Sequence, residues 1–282
     1  MGSVDPNVDP AASCEDLLRS ARTWADQGSP QLALQWCDEA IRRFPTREDP
    51  WRLRGAIRLG TEPSNALGDF LRATELNPHC DRCWFELAWA HLRLGRLDES
   101  LDALNRSLSL EPRADQALSS RALVLGRLGR HAEALHDIAK AAHLQPRNES
   151  HLHNLGVILT ALGRHRAAVA AYRRALELNP ASAGTHNNIA WIMATSPDPS
   201  VRDGTSAVLH ARRALAAVDN PAWMDTLAAA LAEAGDFDQA VQVEERAYEL
   251  SEPPNESFQA RAVLYRQRTS LAVWRRERGG LP

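Results

Sequence analysis

The chain has 282 residues, of which 44% are hydrophobic and 24% charged, and its formal net charge is −3. Those values belong to folded proteins rather than to long disordered segments. The mild acidity counts against a general nucleic-acid binder, and no apolar run approaches the roughly 20 residues that a membrane-spanning helix needs.

Residues 1–13 read as a polar tail. Asp5, Pro6, Asp9 and Pro10 fall within it, and neither a basic start nor an apolar stretch marks a secretory leader. The expected compartment is the cytoplasm. Lys140 is the single lysine among many arginines, which with the abundant alanine points to a coding bias of the genome.

From residue 14 onward the chain keeps time. Gly95, Gly129 and Gly163 stand 34 residues apart, and so do Pro78, Pro112, Pro146 and Pro180. A fixed period of this length predicts an array of helix–turn–helix units. The first unit, 14–47, carries Gly28, Ala33, Ala40 and Pro45. The second, 48–80, carries Trp51, Gly55, Ala66, Phe70, Ala73 and Pro78 and is one residue short.

The segment Cys80–Asp81–Arg82–Cys83 straddles the start of the third unit, 81–114. That spacing suits redox chemistry or a metal, but no second pair and no thioredoxin-like strand accompany it. A structural or incidental role is expected, and Trp84 stands where a haem attachment site would need histidine. The unit continues with Leu87, Ala88, Gly95 and Leu104. The fourth, 115–148, has Leu118, Ala122, Gly129, Ala134, Ile138 and Ala141.

The fifth unit, 149–182, is the clearest. Leu152, Leu155, Gly156 and Leu159 share one helical face, Gly163 closes that helix, and Arg164–His165 begin the turn. Ala168, Tyr172, Ala175 and Leu178 share a face of the second helix, which Asn179–Pro180 stops. Gly156 aligns with Ala88, Ala122, Ala190 and Ala228. Ala168 aligns with Ala33, Ala66, Ala134, Ala207 and Ala240, with Ser100 as the exception. Small residues at matching positions of two helices predict that the helices approach closely.

The sixth unit, 183–220, has a longer inter-helix segment through Ser196–Pro197–Asp198–Pro199 and Asp203–Gly204, expected to be a tolerated surface insertion. The seventh, 221–254, has Met224, Leu227, Ala228, Gly235, Phe237, Ala240 and Ala247. After a break at Pro253–Pro254–Asn255, residues 257–278 read as one amphipathic capping helix within a C-terminal segment 255–282. Its arginines (Arg261, Arg266, Arg268, Arg275, Arg276, Arg278) are expected on a solvated face.

This pattern resembles the tetratricopeptide repeat (TPR), with Leu152, Leu155–Gly156, Leu159, Gly163, Ala168, Tyr172, Ala175 and Pro180 in the family's slots. The long sixth unit resembles a variant of multi-repeat bacterial TPR proteins. The resemblance implies an all-α fold, an α-solenoid coiled as a right-handed superhelix of about seven units plus the cap. It also implies a concave groove lined by the first helix of each unit, which holds a peptide or partner domain.

By offset from the packing stripe, the groove residues are Trp89 and Arg93, Arg127, His153 and Asn154, and Asn187, Asn188 and Trp191, joined by Phe85, Ser119, Ser120, Leu123, Val157, Asp225 and Thr226. Asn154 and Asn188 share one slot, and an amide can both donate to and accept from a peptide backbone. Tryptophan and arginine are the side chains that most often dominate interfaces. Arg93 and Arg127 would favour an acidic segment. The family's carboxylate clamp is not expected, because Lys140 lies on a second helix.

Catalytic patterns are missing: there is no phosphate loop, no His-Glu-x-x-His helix, no Gly-x-Ser-x-Gly turn, and nothing reads as a strand. His131 and His165 occupy one repeat slot, and His151 and His153 point to different faces, which is poor metal geometry. Acidic pairs such as Glu244–Glu245 are assigned to exposed faces. The expectation is a non-enzymatic scaffold with no cofactor, no metal, no nucleic acid and no membrane, binding a protein or peptide; self-association into a homo-oligomer is compatible with it. The alternatives are a self-assembly module and a regulatory arm of a larger enzyme complex.

Overall fold

The computed structural model describes residue 9 and residues 11–216 and 218–278, so most of the N-terminal tail lies outside the described residues. Among those described there are sixteen α-helices and no strand. They are α1 (Cys14–Asp26), α2 (Pro30–Arg43), α3 (Glu48–Arg58), α4 (Pro63–Leu76), α5 (Asp81–Arg93), α6 (Leu97–Leu110), α7 (Asp115–Arg127) and α8 (His131–Leu144). There follow α9 (Glu149–Ala161), α10 (His165–Leu178), α11 (Ala183–Thr195), α12 (Gly204–Leu215), α13 (Pro221–Glu233), α14 (Phe237–Leu250), α15 (Glu256–Arg266) and α16 (Leu271–Arg278). The chain divides within α8, after Ala141, into two compact units.

In the N-terminal unit α1 packs on α2, α3 on α4 and α5 on α6; in the C-terminal unit α9 packs on α10, α11 on α12 and α13 on α14. Odd-numbered helices also touch one another, α1 on α3 and α3 on α5 in one unit, α9 on α11 and α11 on α13 in the other. The even-numbered helices make no comparable contact among themselves in the described residues. Each unit therefore carries its odd helices on the inside of its own curve.

The turns are built on one device. Gly28, Gly95, Gly129, Gly163 and Gly235 all have positive φ, between 69° and 89°, two residues past the end of an odd helix. A Cβ is strained there, which explains the glycine beat. Following N–H groups reach back five residues, as from Arg164 to the Leu159 carbonyl at 2.8 Å and from Arg130 to the Leu125 carbonyl at 2.8 Å, and so satisfy carbonyls the helix end leaves open. The second and sixth hairpins lack this glycine, and they are the two whose lengths depart from the period.

Between the helices of each hairpin runs a seam of small side chains. Ala33, Ala66, Ser100, Ala134, Ala168, Ala207 and Ala240 are all fully buried. Ser100 is tolerated because its Oγ donates to the Ala88 carbonyl at 2.8 Å. At Gly156 the approach is closer still: a Cβ there would lie 2.5 Å from the Tyr172 ring, and one on Gly55 would lie 2.8 Å from the Phe70 ring.

Ion pairs replace apolar contacts at one slot of alternate hairpins. Where the α9 helix has Leu155, α3 has Arg54 and α7 has Arg121. Arg54 grips buried Asp69 on α4 (Nη2–Oδ1 2.5 Å) and reaches back to Asp38 on α2 at 2.6 Å. Arg121 likewise grips buried Asp137 on α8 (Nε–Oδ2 2.6 Å) and reaches Asn105 on α6 at 3.0 Å. Cys80 and Cys83 form a disulfide across the first turn of α5, of which Cys80 is the N-cap.

The long segment between α11 and α12 is docked rather than loose. Ser196 is fully buried, the Asp203 N–H donates to the Met193 carbonyl at 3.1 Å, and Arg202 bonds both the Ser196 carbonyl (3.0 Å) and Glu233 on α13 (2.9 Å). A side chain on Gly204 would run into the Ala234 backbone. The insertion thus packs on its own unit.

Two sequence expectations fail at the C-terminus. Residues 257–278 form two helices, not one: Arg268 adopts φ 53°, and the chain turns through Thr269 and Ser270. Glu244 is not on an exposed face but fully buried, in the slot held by Phe70, Ile138 and Tyr172 elsewhere. Its surroundings are polar, because α15 brings Arg261, which pairs with Asp225 at 2.5 Å, and the buried Tyr265. Burial, with Asp225 alongside, pushes the Glu244 carboxyl up to about 10, so it is uncharged at neutral pH.

Two predictions follow from this packing. Gly156→Ala gains about 1 kcal/mol of helix propensity but overpacks a ring whose hydroxyl is held by Asn188, at about 1–3 kcal/mol. Gly68→Ala, in open space within α4, gains the propensity alone. Thermal melts should show Gly156→Ala below and Gly68→Ala above the wild type. For Glu244, a carboxyl raised from 4.5 to about 10 stabilises most below its unfolded value, and that contribution is lost as pH rises through the folded one, by up to about 1.4 kcal/mol per pH unit. Glu244→Gln should therefore gain melting temperature over the wild type at pH 9 relative to pH 6; an equal offset at both would contradict the buried neutral acid.

Candidate functional site

The inner faces of the odd helices are the surfaces left over once the seams are packed. In the N-terminal unit, α5 presents Phe85 and Trp89, half-buried and edge-on to each other with ring centroids 6.4 Å apart. Arg93 is exposed, as is Arg127 at the end of α7. Between these helices Leu123 is 36% exposed, while Ser119 and Ser120, expected to line the channel, are buried. The wall is not uniformly basic. Glu86 accepts from both Arg52 (2.9 Å) and Arg82 (3.0 Å), tying α3 to α5.

In the C-terminal unit, α9 and α11 bring His153, Asn154, Val157, Asn187 and Asn188 onto neighbouring inner faces. Two of the polar groups, His153 and Asn188, are held from behind. His153 Nδ1 lies 2.7 Å from Thr185 Oγ1 and its ring packs 5.5 Å from that of Tyr172; burial lowers its pKa and keeps the imidazole neutral. Asn188 Nδ2 donates to the Tyr172 hydroxyl at 3.2 Å, so one end of the amide is already committed inside the unit. Asn154 is half-buried, and Asn187 is too, its Oδ1 buried without a hydrogen-bond partner. Val157 is 41% exposed, an apolar side chain in open view of this face.

Trp191 occupies the Val157 slot on α11 but is not open. Arg261 and Arg275 lie over its ring at 5.9 and 5.8 Å from the centroid. Two of the six arginines expected on a solvated face are therefore drawn inward, Arg261 by Asp225 and both by the indole. Spacing along a helix could not show this, because it depends on where the turn at Arg268 sends α16. A clue did exist in Glu244, a carboxylate at a slot that is apolar in other repeats.

A histidine pair, His186 buried and His210 half-buried, also escaped the sequence reading. His186 Nε2 donates to the Pro180 carbonyl at 3.0 Å, and its Nδ1 shares a hydrogen bond with His210 Nδ1 at 2.7 Å. Burial, with His186 next to it, lowers His210 to about 4, so the His210 ring is uncharged at neutral pH. The pair lies between α11 and α12 and locks that hairpin. His165 bonds Ser196 at 2.8 Å and His151 sits beside Asn148, so the histidines serve separate local contacts. Among the described residues no group of three or more His, Cys, Asp or Glu side chains is arranged to hold a metal ion, and no helix is long and apolar enough to cross a membrane.

Family models described as tetratricopeptide repeat match residues 151–182, residues 60–118, and residues 116–135 with 226–245. Among curated proteins nothing matches. Solved structures are similar in fold. A tetratricopeptide repeat protein from Parabacteroides merdae aligns with a TM-score of 0.64 at 14% identity, over 89% of this chain and 98% of that one. The APC/C hetero-tetramer Cut9–Hcn1 aligns with a TM-score of 0.68 at 18% identity, over 78% of this chain and 43% of that one. YrrB, described as a TPR protein with an unusual peptide-binding site, aligns with a TM-score of 0.51 at 17% identity, over 61% and 90%. With the repeat period, the glycine turns and the alanine seams in place, the chain belongs to the multi-repeat tetratricopeptide repeat proteins.

Proposed function

We propose that the chain is a protein-interaction scaffold that holds a peptide or partner domain against the inner faces of its odd helices, without transforming it. The observation that carries this reading is the α9–α11 face, where exposed Val157 shares a surface with the half-buried amides Asn154 and Asn187. His153 and Asn188 are fixed by Thr185 and Tyr172, so the surface is preorganised and a ligand need not order it. An apolar contact flanked by amides suits an extended backbone with one small hydrophobic side chain. In the N-terminal unit, exposed Arg93 and Arg127 with Leu123 and the Phe85–Trp89 pair suit an acidic segment with an apolar anchor. The peptide-binding site named for YrrB supports the same class of ligand. In the cytoplasm, the compartment this reading assigns, thiol reductants would hold Cys80–Cys83 open as a dithiol.

The test uses the full chain carrying Val157→Glu and Asn154→Ala, with helicity checked by circular dichroism. Affinity purification and quantitative mass spectrometry should show at least a tenfold loss of the proteins that the wild type retains. Equal recovery by a folded variant would sink this face as the docking surface.

A further inference from the structure

Repeat logic dictates where a helix after α15 should go. Helix α15 packs on α14, as the first helix of an eighth unit would. The next helix should then return along α15, as α14 does along α13. It does not. After Arg268, α16 turns back and packs against α11 and α13, two odd helices, and makes little contact with α15. Leu271 and Ala272 are buried there. Ser270 Oγ donates to Glu233 Oε2 on α13 at 2.9 Å, and Arg275 lies over Trp191 beside Arg261. At the inner slot where Val157 is 41% exposed, Ala229 on α13 is 1% exposed. The inner wall is thus covered at this end by the chain itself.

We propose that the α11–α13 face is a binding site for an arginine-bearing amphipathic helix, and that α16 is its resident occupant, displaced when an external helix of the same chemistry binds. The inference rests on the docking-scaffold reading and assigns it a partner class at this end, basic and helical where the α5–α7 face suits an acidic segment. The complementarity is specific. The Trp191 ring takes the Arg275 guanidinium on its face, Glu233 accepts from Ser270 just before α16, and the buried Leu271 and Ala272 give the helix its apolar side; Asp225 is already paired with Arg261 of α15. The occupant is seated to leave. A cleft of about 290 Å³ remains between α15 and α16, lined by Arg261, Leu264, Leu271, Trp274 and Arg275, so α16 is not sealed to its predecessor. Its short tether gives a millimolar effective concentration, enough to exclude weak ligands while yielding to strong ones.

The probe is a fluorescein-labelled, staple-stabilised helical peptide of residues 269–278, titrated by anisotropy into the full chain. Leu271→Asp with Arg275→Glu releases α16; Arg275→Glu alone serves if the pair lowers helicity. The peptide should bind the released variant at least tenfold more tightly than the wild type, and Trp191→Ala in the released background should abolish the gain. Equal affinity for wild type and released variant, or no binding to either, overturns the proposal. Val157→Glu on α9 leaves this assay unchanged, so failure of the wider docking reading shows separately, in partner recovery.

Discussion

Two helices can touch backbone to backbone only where neither carries more than a methyl group, and that constraint organises this molecule. The fully buried line from Ala33 to Ala240 sets the hairpin spacing. Where one partner is as large as Tyr172, the other must shrink to Gly156. Once the seam is fixed, the larger apolar side chains fall between hairpins and the inner faces of the odd helices are left with side chains that the core does not need. A surface relieved of packing duty is free to be chosen for recognition, which is why a repeat fold can change ligands without changing architecture.

The two inner surfaces differ in chemistry. In the N-terminal unit, exposed arginines flank an aromatic pair, and Glu86 holds two further arginines in place. The C-terminal unit begins as an amide-lined, apolar-centred face on α9 and α11 and passes into an acidic and aromatic one at Trp191, Asp225 and Glu233. Glu233 has a double role: one carboxylate oxygen takes Arg202 from the docked insertion and the other takes Ser270 from the turn before α16. A side chain that joins two elements in this way makes the insertion and the returning helix parts of one arrangement.

The repeating part of the architecture was legible because it is local. Glycine at positive φ, proline two residues past a helix and alanine at the seam are each imposed within a few residues of the position that reveals them. What could not be read depends on long-range geometry. The burial of Glu244 follows from Arg261 and Tyr265 arriving on a later helix, and the covering of Trp191 follows from a single backbone turn at Arg268. Offset assigned the expected groove residues to odd helices, yet it could not tell Val157, which is open, from Trp191 in the same slot, which Arg261 and Arg275 cover. Nor could it show that Asn188 spends one end of its amide on Tyr172.

The alternation of Arg54–Asp69 and Arg121–Asp137 with leucine at the same slot carries one more consequence. Each arginine also reaches into the preceding hairpin, to Asp38 or Asn105, whereas the intervening hairpin has buried Leu87 at that slot and is tied to its predecessor by Glu86 and Arg52 instead. Neighbouring junctions are therefore not interchangeable, and the true building block of this half of the chain is a pair of repeats. A slip of one repeat during folding, or exchange of a single repeat between two molecules, would set a guanidinium against aliphatic carbon and strand its charge. A slip of two would not. The sequence that looks most monotonous thereby encodes its own alignment.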